Sequence, residues 1–220
     1  MRPIVKTIAY ATPSTTSIAA LQTLGAAGSL LINGPLSFQA GPVNPAGTLN
    51  TYAALSPQGF ITLTSANNLS AVNFTITGLD SANNVISEVL AGPNANTVTS
   101  VNSYAVVTSI TTSAAVTAVS VGTTNGGNTD FLPLDIYNIS PYVGIQTVVS
   151  GTVTYSMTFT DDDPFNKAST PVENPINASL TSATTSVYFQ STAVMRAVRI
   201  KVATGSTGTL RVNIVEQSVM

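Results

Sequence analysis

Histidine, cysteine and tryptophan are absent from the 220 residues, and charge is scarce. Without histidine there is no imidazole to serve as a general base, complete a Ser-His-Asp triad or ligate a metal. Without cysteine there is no thiolate nucleophile, no zinc–thiolate site and no disulfide framework, and the redox compartment stays open. Seven cations and nine anions make up 7% of the chain, against about 25% in an ordinary soluble domain. The net charge of −2 argues against phosphate-driven nucleic-acid binding. The 44% hydrophobic content is too high for a disordered chain. Residues 18–36 are the longest apolar neighbourhood, but Gln22, Thr23, Ser29, Asn33 and three glycines interrupt them, so they do not make a membrane-spanning helix. The opening MRPIVKTIAYATPS lacks the continuous apolar core of a signal peptide. Neither nucleic acid nor membrane is an expected partner, and no cofactor is expected.

Hydroxyls and amides stand where charge is missing: 33 Thr, 24 Ser and 18 Asn make 75 of the 220 residues. The periodicity is two almost throughout. Val72, Phe74 and Ile76 alternate with Asn73, Thr75 and Thr77. Val153, Tyr155, Met157 and Phe159 alternate with Thr and Ser. Val198, Ile200 and Val202 alternate with Arg199 and Lys201, and Leu210, Val212 and Ile214 with Arg211 and Asn213. Further short strands are expected at residues 60–64, 85–90, 105–110, 116–121 and 187–190. Only residues 18–24 invite a helical turn, and Gly25 limits it. Ser-Ala-Asn-Asn occurs at 65–68 and again at 81–84, which reads as the turns of two adjacent hairpins.

The expected fold is all-β: an antiparallel β-sandwich, jelly-roll-like, built as one body or as two packed sandwiches. Residues 7–59 carry no charge and five prolines, Pro13, Pro35, Pro42, Pro45 and Pro57. They read as an extended N-terminal arm, giving segments 1–59 (arm), 60–144 (first sandwich) and 145–220 (second sandwich). Within the last, residues 161–178 are rich in Pro, Asp and Asn and read as a long loop.

Few residue groups carry candidate chemistry. Asp161, Asp162 and Asp163 could offer oxygens to calcium, but the run ends in Pro164 and lacks the alternate spacing of a calcium loop, so a solvated turn is the simpler reading. Residues 123–130 are Gly-rich but lack the Lys-Ser/Thr ending of a phosphate loop. Asp80, Glu88, Asp130 and Asp135 show no spacing that argues for a catalytic acid pair. No motif surrounds Lys6, Lys167 or Lys201 to suggest a Ser–Lys dyad. A non-enzymatic protein is expected. The sequons at Asn68, Asn73, Asn138 and Asn177 are as many as this composition yields by chance. Arg199, Lys201 and Arg211 stand out. If residues 204–208 form a hairpin turn centred on Ser206, the three cations share one face, either as a contact patch for an acidic partner or as a solvated face.

The stretch from Ile61 to Asp80, continuing through Asn84–Pro93, Tyr104–Ile110 and Val119–Thr123, resembles structural proteins of tailed bacteriophages. So do the segments Ile18–Gly34, Met195–Val202 and Gly208–Val215. The resemblance covers about two thirds of the chain and transfers no catalytic or ligand residue. It implies a virion structural protein without enzymatic activity, made in the bacterial host cytoplasm and carried on the outer surface of the particle. A capsid decoration or cement protein is the leading expectation, a symmetric homo-oligomer bound to the major capsid protein or to other virion proteins. A head–tail connector or tail-associated protein is the alternative. A carbohydrate-binding or host-adhesion module is the third reading, which the lack of Trp disfavours.

Overall fold

Thr- and Val-rich segments prefer extended backbone because branching at Cβ fits a pleated surface and crowds a helix. The computed structural model, which describes residues 3–39, 51–134, 142–164, 171–192 and 194–217, is built of strands accordingly. Pro42, Pro45, Asp135, Asn138 and Lys167 lie outside the described residues. The chain opens with β1 (Ile4–Ala9), β2 (Ser14–Leu24), β3 (Gly28–Ser29) and β4 (Ser37–Gln39). The long strand β5 (Thr51–Ser65) is followed by β6 (Asn73–Leu79), β7 (Val85–Ala91), the equally long β8 (Thr97–Thr112) and β9 (Val116–Thr123). Then come β10 (Gly127–Asn128), β11 (Leu132–Pro133), β12 (Tyr142–Ser150), β13 (Tyr155–Thr160) and β14 (Asn174–Pro175). After a short 3-10 turn at Ala178–Leu180, β15 (Tyr188–Ser191), β16 (Ala197–Val202) and β17 (Thr209–Gln217) complete the order. No helix among the described residues is long and apolar enough to cross a membrane.

The strands form two compact units. One comprises residues 1–11 with 128–220, the other residues 12–127. The second is therefore an insertion between β1 and the rest of the first. The boundaries fall at 11/12 and 127/128, not at the expected 59/60 and 144/145. The expected N-terminal arm is corrected too: β1 pairs with β17, β2 with β9, and Ile8, Ile18, Ala19, Leu30, Ile32 and Ala53 are core residues. The segment expected to turn helically is part of β2. Its register slips repeatedly against β9, at Ala19, Gln22 and Leu24. Three consecutive buried residues, Ser17 to Ala19, replace the alternation.

In the inserted unit an antiparallel sheet runs β2-β9-β5-β8-β6-β7, with β3 on β8 and β4 on β5. The two long strands belong to both halves of it. Gly59–Thr64 of β5 pairs with Tyr104–Thr97 of β8, while the other half of β8 pairs with β6. Register shifts after Ala54 and Phe60 bend β5 between the halves. Ile18, Val119, Val121, Ile61 and Leu63 from one half and Phe74, Ile76, Val107 and Ile110 from the other pack in a single cluster. Glu88 on β7 reaches β8, where Oε2 accepts the backbone N–H groups of Val101 (3.1 Å) and Asn102 (3.2 Å). Of the two Ser-Ala-Asn-Asn turns, 81–84 closes the β6–β7 hairpin, with Asp80 accepting from the Ala82 and Asn84 amides at 3.0 and 2.7 Å. The copy at 65–68 instead leads from β5 to β6, strands separated by β8.

The other unit stacks a four-stranded sheet, β1-β17-β12-β15, on a sheet ordered β10-β16-β13-β14 with β11 also on β16. Ile8, Ile145, Leu210, Val212 and Ile214 from the first meet Tyr155, Met157, Val198, Ile200 and Val202 from the second. A polar pin crosses the core: Thr147 Oγ1 lies 2.6 Å from Tyr155 Oη, and that phenol donates to the Thr185 carbonyl at 2.9 Å. Burial, only partly offset by the Thr147 hydrogen bond, raises the Tyr155 pKa.

Gly122 permits the close approach of β2 to β9. A methyl at its Cα would overlap the Ser14 carbonyl, and both partners are backbone. Gly122→Ala is expected to destabilise the protein by about 1–3 kcal/mol, read as a lower melting temperature. Gly25→Ala, with nothing within 4 Å of the new methyl, should stay within about 0.5 kcal/mol of the parent.

Candidate functional site

The three cations singled out from the sequence do not share a face. β16 and β17 are not a hairpin. β16 pairs with β13 and β17 with β1 and β12, so residues 203–208 cross from one sheet of the sandwich to the other. The crossing is fixed by backbone bonds to the β12–β13 connection, Ala203 N to Thr154 O (2.9 Å) and Thr207 N to Thr152 O (2.7 Å). Ser206, 3% exposed, donates its hydroxyl to the Ala203 carbonyl at 2.8 Å. Gly205 supplies the positive φ of 90°. The glycines were a sound turn signal, but a turn does not reveal whether the strands it joins pair with each other.

Arg199 and Lys201 lie on the outer face of the β16 sheet, opposite Thr158 and Ser156. Arg211 lies on the outer face of the other sheet, between Thr7 and Val148. The first two are drawn to one carboxylate. Arg199 Nη1 is 2.9 Å from Glu173 Oε1, and Lys201 Nζ is 2.7 Å from Oε2. Thr158 also donates its hydroxyl to Oε2, at 2.6 Å. Arg199 is held further by Nε donating to the Thr129 carbonyl at 2.8 Å, with its guanidinium 5.3 Å from the Phe131 ring centroid. Two cations two residues apart on a strand repel. Glu173 between them turns the repulsion into a half-buried network. Burial alone would raise the Glu173 carboxyl, but the hydrogen bonds from Lys201 and Thr158 and the charges of Arg199 and Lys201 outweigh it and hold the pKa below its ordinary value.

Glu173 was not legible in the sequence because it sits in the Pro/Asn-rich stretch read as a loop. Asn174 and Pro175 instead pair with Phe159 and Thr158, at the sheet edge where proline is tolerated, and this places Glu173 beside β13. The acidic run follows β13 as a bend. Asp162 accepts the Val172 amide at 2.7 Å, and Asp163 lies 3.4 Å from Arg196 in an exposed ion pair. No group of three or more acidic side chains able to hold a metal ion is found among the described residues.

Arg211, in contrast, is exposed and forms no ion pair among the described residues. It shares its face with Val5, Val148, Tyr188 and Val215, all prominently exposed, and with Gln146 and Asn213. This face is the candidate contact surface of the sandwich. No family model matches the chain, and no curated protein is found to resemble it in sequence.

Because the Glu173 pKa is lowered on folding, its contribution to stability is present above its unfolded value of about 4.3 and is lost as pH falls through the folded value. Glu173→Gln is expected to cost about 1–3 kcal/mol near neutral pH. The gap in melting temperature to the parent should narrow below about pH 4; a gap of constant size across that range would show that the network does not act through the carboxylate's charge.

Proposed function

We propose that this protein is a non-enzymatic structural component of a tailed-bacteriophage virion, a capsid decoration or cement protein that stabilises the head shell through subunit contacts. The observation that carries the reading is a surface suited to burial. Edge strand β7, at the end of its sheet, turns Val85 and Val89 outward, 74% and 64% exposed. It carries none of the lysines or prolines that blunt edges in solitary proteins. The face around Arg211 likewise offers valines and a tyrosine with one cation. Few charges mean little desolvation cost when such faces are covered. The resemblance of the Ile61–Pro93 and Met195–Val215 stretches to phage structural proteins supplies the class of partner: the major capsid protein or other virion proteins, and further copies of this chain.

A protein that binds only the assembled lattice stabilises that lattice by mass action. Quantitative mass spectrometry of purified particles tests the reading. A copy number comparable with that of the major capsid protein is expected of a decoration protein. A single ring's worth of copies would favour the head–tail or tail-associated alternative, and absence from particles would overturn both.

The edge makes a second prediction. Val89→Lys places a charge on the outward face of β7, where it leaves the fold intact but opposes strand-to-strand association. The parent is expected to be oligomeric by light scattering and the variant to shift towards the monomer. An unchanged oligomer would remove β7 from the interface.

A further inference from the structure

On the outer face of the four-stranded sheet, two rows of residues cross β15, β12 and β17. One row is Tyr188, Gln146 and Asn213; the next is Gln190, Gly144 and Val215. At the centre of the second row a glycine stands where its neighbours carry side chains. A Cβ built on Gly144 would find the Val215 carbonyl oxygen at 3.7 Å and Tyr188 Oη at 4.0 Å as its nearest neighbours. These six residues line a hollow of about 210 Å³.

The lining is specific in its chemistry. Tyr188 is 73% exposed, so its ring is available to a ligand rather than spent on the core. Asn213 Nδ2 donates to Gln146 Oε1 at 3.2 Å, which fixes the two amides relative to each other. Asn213 Oδ1 is then left buried with no hydrogen-bond partner among the described residues, an acceptor that is costly to leave unmade. None of the six side chains is charged.

We propose that this hollow binds a single pyranose ring, as the terminal unit of a neutral glycan. A sugar offers an apolar C–H face to an aromatic ring and a rim of hydroxyls that both donate and accept, the complement of one tyrosine and three amides. A hydroxyl of the ring satisfies Asn213 Oδ1, whereas an apolar side chain in the same place leaves it unpaired. The hollow is smaller than the roughly 300–1,000 Å³ of sites for drug-sized ligands, which limits it to one ring. β15 is the edge of its sheet, so the remainder of a glycan can leave past it without crossing the sandwich. The proposal is independent of the virion reading and concerns the isolated chain.

The test is a titration of the ¹⁵N-labelled full chain with the methyl glycosides of glucose, galactose, mannose and N-acetylglucosamine, followed by two-dimensional NMR. At least one is expected to give saturable shifts at the Gly144 backbone amide and at the side-chain amides of Gln146, Gln190 and Asn213, with a dissociation constant on the order of 1 mM. Tyr188→Ala removes the aromatic face from an exposed position. Gly144→Val fills the floor where a Cβ meets only ordinary contacts. Each should weaken binding by about tenfold or more while the remaining resonances stay in place. Absence of shifts at these residues with all four glycosides, shifts confined to other residues, or affinity retained in both variants would each overturn the proposal.

Discussion

The pairing of the first strand with the last sets the plan of the whole molecule. Ile4 lies opposite Ile214 and Ala9 opposite Thr209, with β17 continuing on its other side to β12. β1 thereby completes one sheet of a sandwich whose other strands all begin at or beyond Gly127. Everything from Thr12 to Gly127 is consequently an insertion with its own core. Closing so long a loop adds little to the entropic cost, since that cost grows only logarithmically with length. The burial of Ile8 and the ladder along β17 outweigh it. This pairing also gives the outer face of the four-stranded sheet its breadth, because β1 contributes Val5 and Thr7 to the rows that hold Asn213 and Arg211.

With so little charge, polar satisfaction is delegated to short side chains acting locally. Ser65 accepts the Asn67 amide, Asn68 the Ser70 amide and Asn177 the Ser179 amide. Each is a turn in which a side chain imitates a backbone acceptor. Hydroxyls also meet across strands, as Thr64 with Thr97 at 2.9 Å and Thr77 with Ser87 at 3.2 Å. Such bonds cost less side-chain entropy than ion pairs between long side chains and leave the surface nearly neutral. The main exception is the Glu173 network, where alternate strand positions bring two cations onto one face and a carboxylate must separate them.

Fold class was legible because burial of one sheet face imposes a period of two. β7, β9 and β16 fall within a residue or two of the strand spans expected from the sequence. Legibility failed where the physical cause of the alternation fails. β2 slips register and buries consecutive residues. The first half of β5 is broken by a register shift after Ala54. The domain boundaries were hidden for a different reason: they follow from the pairing of β1 with β17, and no local composition reports a partner 210 positions away, as Ile214 is from Ile4. The candidate patch failed at its turn. Alternation placed Arg199 and Lys201 on one face correctly, and Arg211 was assigned to that face only by assuming that the Gly205 turn joins paired strands.

The two outer faces of this sandwich are treated differently. On the β16 sheet, Arg199 and Lys201 are engaged by Glu173, Thr158 and Thr129. A partner docking there must compete with bonds already made, and gains only the difference. On the β17 sheet, Arg211 has no such engagement, Val148 and Val215 are exposed, and Asn213 retains an unmet acceptor. A ligand or partner there competes with water rather than with an ion pair already made within the chain. The expected contact surface is therefore the face of Arg211 on the β17 sheet rather than that of Arg199 and Lys201 on the β16 sheet. This holds for any partner, whether a shell subunit or a sugar ring, because the difference lies in what each face has already satisfied within the chain.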